Sequence, residues 1–479
     1  MDDLKNYNQA LMLSLSLVLL VGWLCVLLRK RFVSCYGFIG YIAILAFQVA
    51  LVLLPCVWII SLFPSRHSLA SPEMFGIGGG VFGIQYEYYR RALLLLSTIS
   101  VVGIMGAVVY SATKPPIQLM GAVGVSTLPQ RWTMIVRERN LDKWLCIACF
   151  LVFALYFTAN GWGRLWHSDL GRFDQSYIQL FSFLEDLKIF LPLLLLGGTL
   201  AAAALAVASR PWWSITAILF CLMPFISQAS RGFSVLVPFT VVALMYRWRL
   251  PRVIALCILT LLFAYSLYMP LGLRGQPDTG MMVFFRQNAL LFDGEARYSE
   301  MLSAVGQNLS QGFPILVDTI ARQSGGEELM SENPAMYWVL SFSPTISLID
   351  GFGGRYVQYT PFVNFYTPFS AFAELYVLSI FLFLGLPVIW FWSYLVMIRK
   401  LQSTSWVGVL LSVIILVLLF SALIQAHQYP IRTTMRFVYL GGLLGLAGIT
   451  FLKAPLVHPP GMFNRQPRRS DVNTSRIKK

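Results

Sequence analysis

Long apolar segments dominate this sequence, and eleven of them approach the length that a helix needs to cross a lipid bilayer. A hydrocarbon core of about 30 Å is spanned by roughly 20 helical residues. Only 12% of the residues are charged, whereas soluble domains contain about a quarter. We therefore predict an all-α, polytopic integral membrane protein with about 11 transmembrane helices, within a range of 10 to 12 because two segments are short. The predicted spans are residues 10–28, 36–63, 92–112, 144–159, 187–208, 212–226, 233–246, 253–270, 369–397, 406–424 and 437–452.

Lys and Arg are distributed unevenly between alternate connections of these spans. One set of connections, together with the carboxyl-terminal tail, holds 21 of the 36 Lys and Arg residues and three of the 21 Asp and Glu residues. The opposite set holds the other 15 cations and 18 acids, so the two sides carry net charges of +18 and −3. Because positive loops stay in the cytoplasm, we predict an external amino terminus and a cytoplasmic carboxyl terminus. The overall charge of +15 is then a topology signal and not a sign of nucleic acid binding.

The same pattern divides the chain into four regions. Residues 1–270 form an amino-terminal transmembrane bundle of about 8 helices, and residues 271–368 form one large external loop. Residues 369–452 form the carboxyl-terminal transmembrane helices, and residues 453–479 form a basic cytoplasmic tail that meets anionic lipid headgroups. Helix-like apolar spacing with Gly and Pro punctuation predicts that the large loop is a subdomain of short helices over the outer membrane face.

Several arginines stand where descending helices begin on the external side. Arg231 lies in the short turn before the seventh span, and Arg432 and Arg436, one helical turn apart, enter the eleventh. A helix amino terminus carries a partial positive charge, so an arginine there is unfavourable unless an anion joins the site. Arg274 and Arg297, in the large loop, are further candidates, although each alone is more typical of a salt-bridge partner. The alternative is that these arginines reach lipid headgroups as interfacial anchors.

Two other titratable residues stand near the external side. Glu374 lies a few residues inside a predicted span, where an ionisable group is costly and points to function. His427 is one of four histidines and lies at the outer end of the tenth span. The histidines lack metal-ligand spacing, and no nucleotide-binding or HExxH motif is present in the sequence. We therefore expect no metal and no cofactor, and neither a nucleotide-powered pump nor a metalloprotease.

Two stretches resemble a known family. SRGFSVLVPFTVVALMYRWR runs from Ser230 to Arg249, and TPFSAFAELYVLSIFLFLG runs from Thr367 to Gly385. With one large external loop late in the chain, they resemble the bacterial O-antigen polymerases, which join polysaccharide repeat units and share their architecture with the O-antigen ligases.

The resemblance implies a metal-independent glycosyltransferase in the bacterial inner membrane. It would polymerise polyprenyl-diphosphate-linked oligosaccharide repeat units at the periplasmic face, for O-antigen or exopolysaccharide. Its partners would be that lipid-linked oligosaccharide, the bilayer and a chain-length regulator protein, with no nucleic acid. Arginine forks hold diphosphates well, so Arg231, Arg432 and Arg436, followed by Arg274 and Arg297, would bind the pyrophosphate and glycan. Glu374 and His427 are the two candidates for the catalytic base that deprotonates the acceptor hydroxyl.

Two alternatives remain open at this level. A ligase that moves finished glycan to its lipid acceptor shares the chemistry and differs only in the acceptor. A flippase for the same lipid-linked oligosaccharide is a transporter, and transporters commonly show internal repeats with charges near the bilayer midplane. This sequence shows no evident repeat and gathers its charges at the external rim.

The charge asymmetry predicts the topology directly. Reporter fusions after Lys30, Arg139, Arg249 and Lys400 should report the cytoplasm, and a fusion near Gly325 should report the periplasm, because the two sides differ so strongly in positive charge. A cytoplasmic signal from the Gly325 fusion would overturn the predicted orientation.

Overall fold

The computed structural model describes residues 2–61, 86–117, 128–160, 162, 197–198, 210–227, 254, 312–329, 334–343, 362–364, 367–403 and 406–453. These residues are almost entirely helical, as predicted; the exception is an antiparallel pair of very short strands, β1 (Phe362–Asn364) and β2 (Thr367–Pro368). The helices are α1 (Asp2–Gln48), followed by a π-helical turn (Val49–Leu53), α2 (Leu54–Ser61), α3 (Tyr86–Thr113), α4 (Leu128–Glu138), α5 (Leu141–Asn160), α6 (Pro211–Ser227), α7 (Gly312–Ser324), α8 (Pro334–Phe342), α9 (Ala371–Leu378), α10 (Ile380–Gln402), α11 (Trp406–Gln428) and α12 (Ile431–Lys453).

Five helical stretches in the described part of the chain are long and apolar enough to cross a membrane. They are Asn8–Ile59, Glu87–Thr113, Leu141–Thr158, Ile380–Gln402 and Ile431–Leu452. Ile215–Pro224 and Leu411–His427 are apolar but shorter. The predicted spans 187–208, 233–246 and 253–270 lie almost wholly outside the described residues, so the count of eleven stays a prediction.

The longest stretch, Asn8–Ile59, is a hairpin of two antiparallel arms. At Gly37 the backbone has φ 72°, a left-handed conformation that glycine adopts without steric cost. Beyond it the second arm returns along the first: the Cys56 thiol donates to the Ser14 carbonyl at 3.3 Å, and the two residues are 42 positions apart. The separate spans predicted for 10–28 and 36–63 correspond to these two arms.

One end of the bundle gathers basic residues from three connections that the charge pattern assigned to the same side. Arg31 donates to the Ser111 hydroxyl at 2.8 Å, and Arg399 donates to the Tyr110 hydroxyl at 3.1 Å and the Pro115 carbonyl at 2.8 Å. We call this the basic end. Cations that lie far apart in sequence thus share one end of the described bundle, in agreement with their predicted common side.

Helix α7, from the predicted external loop, packs into the opposite end of the bundle. Every residue from 312 to 320 is buried, and α7 packs against α2, α3, α9 and α11. Phe313 contacts the ring of Tyr89 with centroids 6.1 Å apart, and Arg91 donates to the Ser324 hydroxyl at 3.2 Å. A short helix was predicted for this part of the loop, and the structure shows that it contributes to the core.

The predicted span 369–397 is interrupted, which corrects the sequence analysis. Ser379 is extended, with φ −173° and ψ 134°, and its hydroxyl accepts a hydrogen bond from the Phe381 N–H at 3.2 Å. A serine that caps the following helix in this way stops the preceding one. The segment is therefore two helices, α9 and α10, and Glu374 lies in α9, before the candidate span Ile380–Gln402.

A glycine pair tests the hairpin turn. A Cβ at Gly37 would collide with the Gln402 side chain, which donates to the Tyr36 carbonyl at 2.9 Å, whereas Gly22 has open space around it. We expect Gly37→Ala to destabilise the fold by about 1 to 2 kcal/mol for the left-handed conformation alone. The measurement is thermal unfolding of the full-length protein in lipid nanodiscs. Gly22→Ala is the control, and its melting temperature should stay unchanged or rise slightly. Equal effects at both positions would contradict a structural role for the turn.

Candidate functional site

The connection between α11 and α12 lies against the first turn of α9, at the end opposite the basic end. The Ala371 N–H donates to the Tyr429 carbonyl at 2.8 Å, which ties the start of α9 to this connection. Pro430 sets the geometry: the residue before a proline disfavours helix, and a proline starts the next helix at no cost in hydrogen bonds. We call the first turn of α9, with residues 427–436, the junction.

Glu374 is completely buried in the junction. Its Oε2 accepts a hydrogen bond from the backbone N–H of Ile431 at 2.7 Å, and Tyr337 lies beside the carboxyl group. Ile431 is the first residue of α12, so the carboxyl group caps the positive end of that helix. Burial raises the pKa of Glu374 to about 8, and the neighbouring Tyr337 and the Ile431 N–H only partly oppose this rise.

His427 is also buried, on the other side of the same connection. Its Nε2 lies 2.6 Å from the Ala50 carbonyl oxygen in the π-helical turn. Because a carbonyl only accepts, Nε2 carries the proton and donates it. The imidazole also contacts the ring of Phe372, with ring centroids 4.7 Å apart.

Arg432 and Arg436 occupy the first and second turns of α12. Arg432 is buried, and Arg436 is half-buried. A separation of four residues places both on one face of the helix.

The structure brings together four of the seven predicted site residues. Glu374 is separated by more than fifty residues from the group His427, Arg432 and Arg436, yet all four lie in the junction. The other three, Arg231, Arg274 and Arg297, lie outside the described residues. By contrast, Arg90 forms an exposed ion pair with Glu87 at 2.7 Å, at the start of α3.

Two helix amino termini, those of α9 and α12, meet at the junction. Helix α7 contacts it as well, because Gly312 lies so close to the backbone of His427 that it leaves no room for a Cβ. Each terminus contributes a partial positive charge. Arg432 and Arg436 lie in the first two turns of the same α12 terminus that Glu374 caps.

Sequence reasoning missed three partners in this region. The Ile431 N–H bonds Glu374, the Ala50 carbonyl bonds His427, and Tyr337 lies beside Glu374, but none of the three carries a distinctive motif. Only Pro55, inside an apolar span, could have signalled that a backbone carbonyl nearby needs an outside donor.

Within the described ranges, no group of three or more His, Cys, Asp and Glu residues could hold a metal ion. Comparison of the chain with protein-family models, curated proteins and solved structures gave no match.

The Glu374 carboxyl should make stability depend on pH. Its pKa is raised on folding, so ionisation is disfavoured in the folded state, and stability should fall as the pH rises from about 4.5 to about 8. Glu374→Gln keeps an oxygen acceptor for the Ile431 N–H without an ionisable group, so its melting temperature should fall less over this range than that of the wild type.

The matched control for this comparison is Glu87→Gln, because Glu87 is exposed. It should leave the wild-type pH dependence unchanged. If the melting temperatures of the wild type and of Glu374→Gln changed by the same amount from pH 4.5 to pH 8, Glu374 would not titrate in this range.

Proposed function

We propose that this protein polymerises polyprenyl-diphosphate-linked oligosaccharide repeat units at the periplasmic face of the bacterial inner membrane. The observation that carries the proposal is the junction, where Glu374, His427, Arg432 and Arg436 lie together with two helix amino termini. It lies at the end of the bundle opposite the basic end, which the charge pattern predicts to be cytoplasmic. A site at this end suits a substrate presented at the outer leaflet.

The arrangement suits a pyrophosphate leaving group. When the glycosidic bond to a polyprenyl diphosphate breaks, negative charge develops on the departing phosphate oxygen. Arginine donates paired, directional hydrogen bonds to phosphate oxygens, and helix amino termini add favourable dipoles without a metal. We assign this role to Arg432 and Arg436, together with Arg231, and then to Arg274 and Arg297.

The reaction also needs a base. In an inverting displacement the acceptor hydroxyl oxygen forms a bond to the anomeric carbon, the bond to the diphosphate oxygen breaks, and the hydroxyl proton passes to the base. Glu374 suits this task better than His427, because a pKa of about 8 makes its carboxylate a stronger proton acceptor than an ordinary glutamate. The Nε2 of His427 is occupied as a donor to Ala50. Glu374 is buried, so the acceptor hydroxyl would have to replace one of its hydrogen bonds.

Deletion of the gene tests the proposal at the level of substrate. Without a polymerase, surface glycan should carry single repeat units or none, and lipid-linked single repeats should accumulate on the outer leaflet. Loss of a flippase would leave them on the inner leaflet, and loss of a ligase would leave long polymer on the lipid carrier. Either of these two results would contradict the polymerase proposal.

Arginine geometry gives a second test. Lysine keeps the charge but cannot form the paired hydrogen bonds, so Arg432→Lys and Arg231→Lys should reduce polymer formation at least about tenfold, as much as a loss of roughly 1.4 kcal/mol in transition-state binding would produce. The measurement is polymer length and amount at equal membrane abundance.

Arg90→Lys is the matched control for both substitutions. Arg90 is exposed and pairs with Glu87, so this variant should retain normal polymer. Full polymer from both Arg432→Ala and Arg231→Ala would remove the proposed pyrophosphate site.

A further inference from the structure

Pro55 deprives one backbone carbonyl of its helical hydrogen bond. In the π-helical turn the Leu54 N–H donates to Val49, five residues back, so it is not available to Ala50. The next donor in that register would be residue 55, and proline has no N–H. The Ala50 carbonyl has thus lost both the fourth and the fifth residue along the chain as donors.

His427 supplies the missing donor from another helix. Its Nε2 lies 2.6 Å from the Ala50 oxygen, across a sequence distance of 377 residues. Both Ala50 and His427 are buried, so water does not replace this bond. A buried carbonyl without a donor is costly, particularly in an apolar bundle, and the imidazole removes that cost.

The backbone of His427 is fixed as firmly as its side chain. Gly312, the first residue of α7, packs directly against the His427 carbonyl, and Phe372 of α9 packs against the imidazole ring. One residue therefore holds the second arm of the amino-terminal hairpin, α7 and α9 at the start of the junction. Ile431 and Arg432 follow four and five residues later on the same chain.

We propose that His427 is a positioning residue: it replaces the helical donor that Pro55 removes from Ala50 and thereby holds the hairpin against the junction that carries Glu374 and Arg432. This role is independent of the proposed function, because it follows from backbone hydrogen bonding alone. It assigns a purpose to Pro55 and to the π-helical turn as well as to the histidine. It also separates His427 from the proton transfer that its location would otherwise suggest.

The test is a double-mutant cycle in the full-length protein, reconstituted in nanodiscs. His427→Gln keeps an N–H donor, whereas His427→Met fills a similar volume without one. In the wild-type background we expect the melting temperature of His427→Gln to be a few degrees higher than that of His427→Met, because the Met variant lacks one buried hydrogen bond. In the Pro55→Ala background residue 55 regains an N–H, so Ala50 has a donor within its own helix in either the α or the π register.

The expected result is that the advantage of Gln over Met disappears or reverses in the Pro55→Ala background. An equal advantage in both backgrounds, or none in the wild-type background, would overturn the proposal. These outcomes require no enzymatic assay, so they stand whether or not the protein polymerises glycan.

Polymer formation gives the second readout. If His427 acts by positioning, Pro55→Ala should restore most of the polymer that His427→Met loses. If His427 is instead the base, the double variant should remain inactive although its stability recovers, and that result would overturn the proposal. A wild type without polymerase activity would refute the proposed function and leave the stability cycle decisive.

Discussion

The hydrogen bond from the Ile431 N–H to the Glu374 carboxylate is the interaction on which the described junction depends. It joins a carboxylate on a short helix to the positive end of α12, and it lies where neither group reaches water. Breaking it would leave a buried carboxyl group and a helix terminus without their partners, at a cost larger than the bond itself contributes. The neighbouring bond from Ala371 to Tyr429 acts in the opposite direction, so α9 and the α11–α12 connection hold one another.

The same requirement, that buried backbone groups find partners, explains several irregular features. Ser379 ends one helix and caps the next, Gln402 binds the Tyr36 carbonyl beside the Gly37 turn, and His427 binds the carbonyl that Pro55 exposes. Each of these three irregularities is matched by a polar side chain that bonds the backbone group concerned. These polar side chains thus form hydrogen bonds to backbone groups of the apolar bundle. Any chemistry at the junction has to involve groups that already form structural hydrogen bonds.

Hydropathy predicted the helices well, since span length and apolar composition are local properties of the sequence. The hairpin arms, α3, α5 and α12 lie where the segments predicted them. The break at Ser379 and the π-helical turn were not predicted, because both depend on partners distant in sequence. The site was predicted in part: residue type and position marked Glu374 and His427, but only tertiary packing shows that one caps α12 and the other binds Ala50.

A disulfide cross-link across the junction would show whether α9 lies against the connection between α11 and α12. The Ala371 N–H and the Tyr429 carbonyl are bonded, so cysteines at these positions should form a disulfide in the periplasm, where disulfides persist. A protease site inserted after Ser403 allows the chain to be cut between the two cysteines. The variant with Ala371→Cys and Tyr429→Cys should then keep its two halves linked until the disulfide is reduced. The control pair, Ala371→Cys with Thr450→Cys, should separate, because residue 450 lies near the far end of α12, about five helical turns from the junction. Separation of the first pair, or retention of both, would contradict the junction.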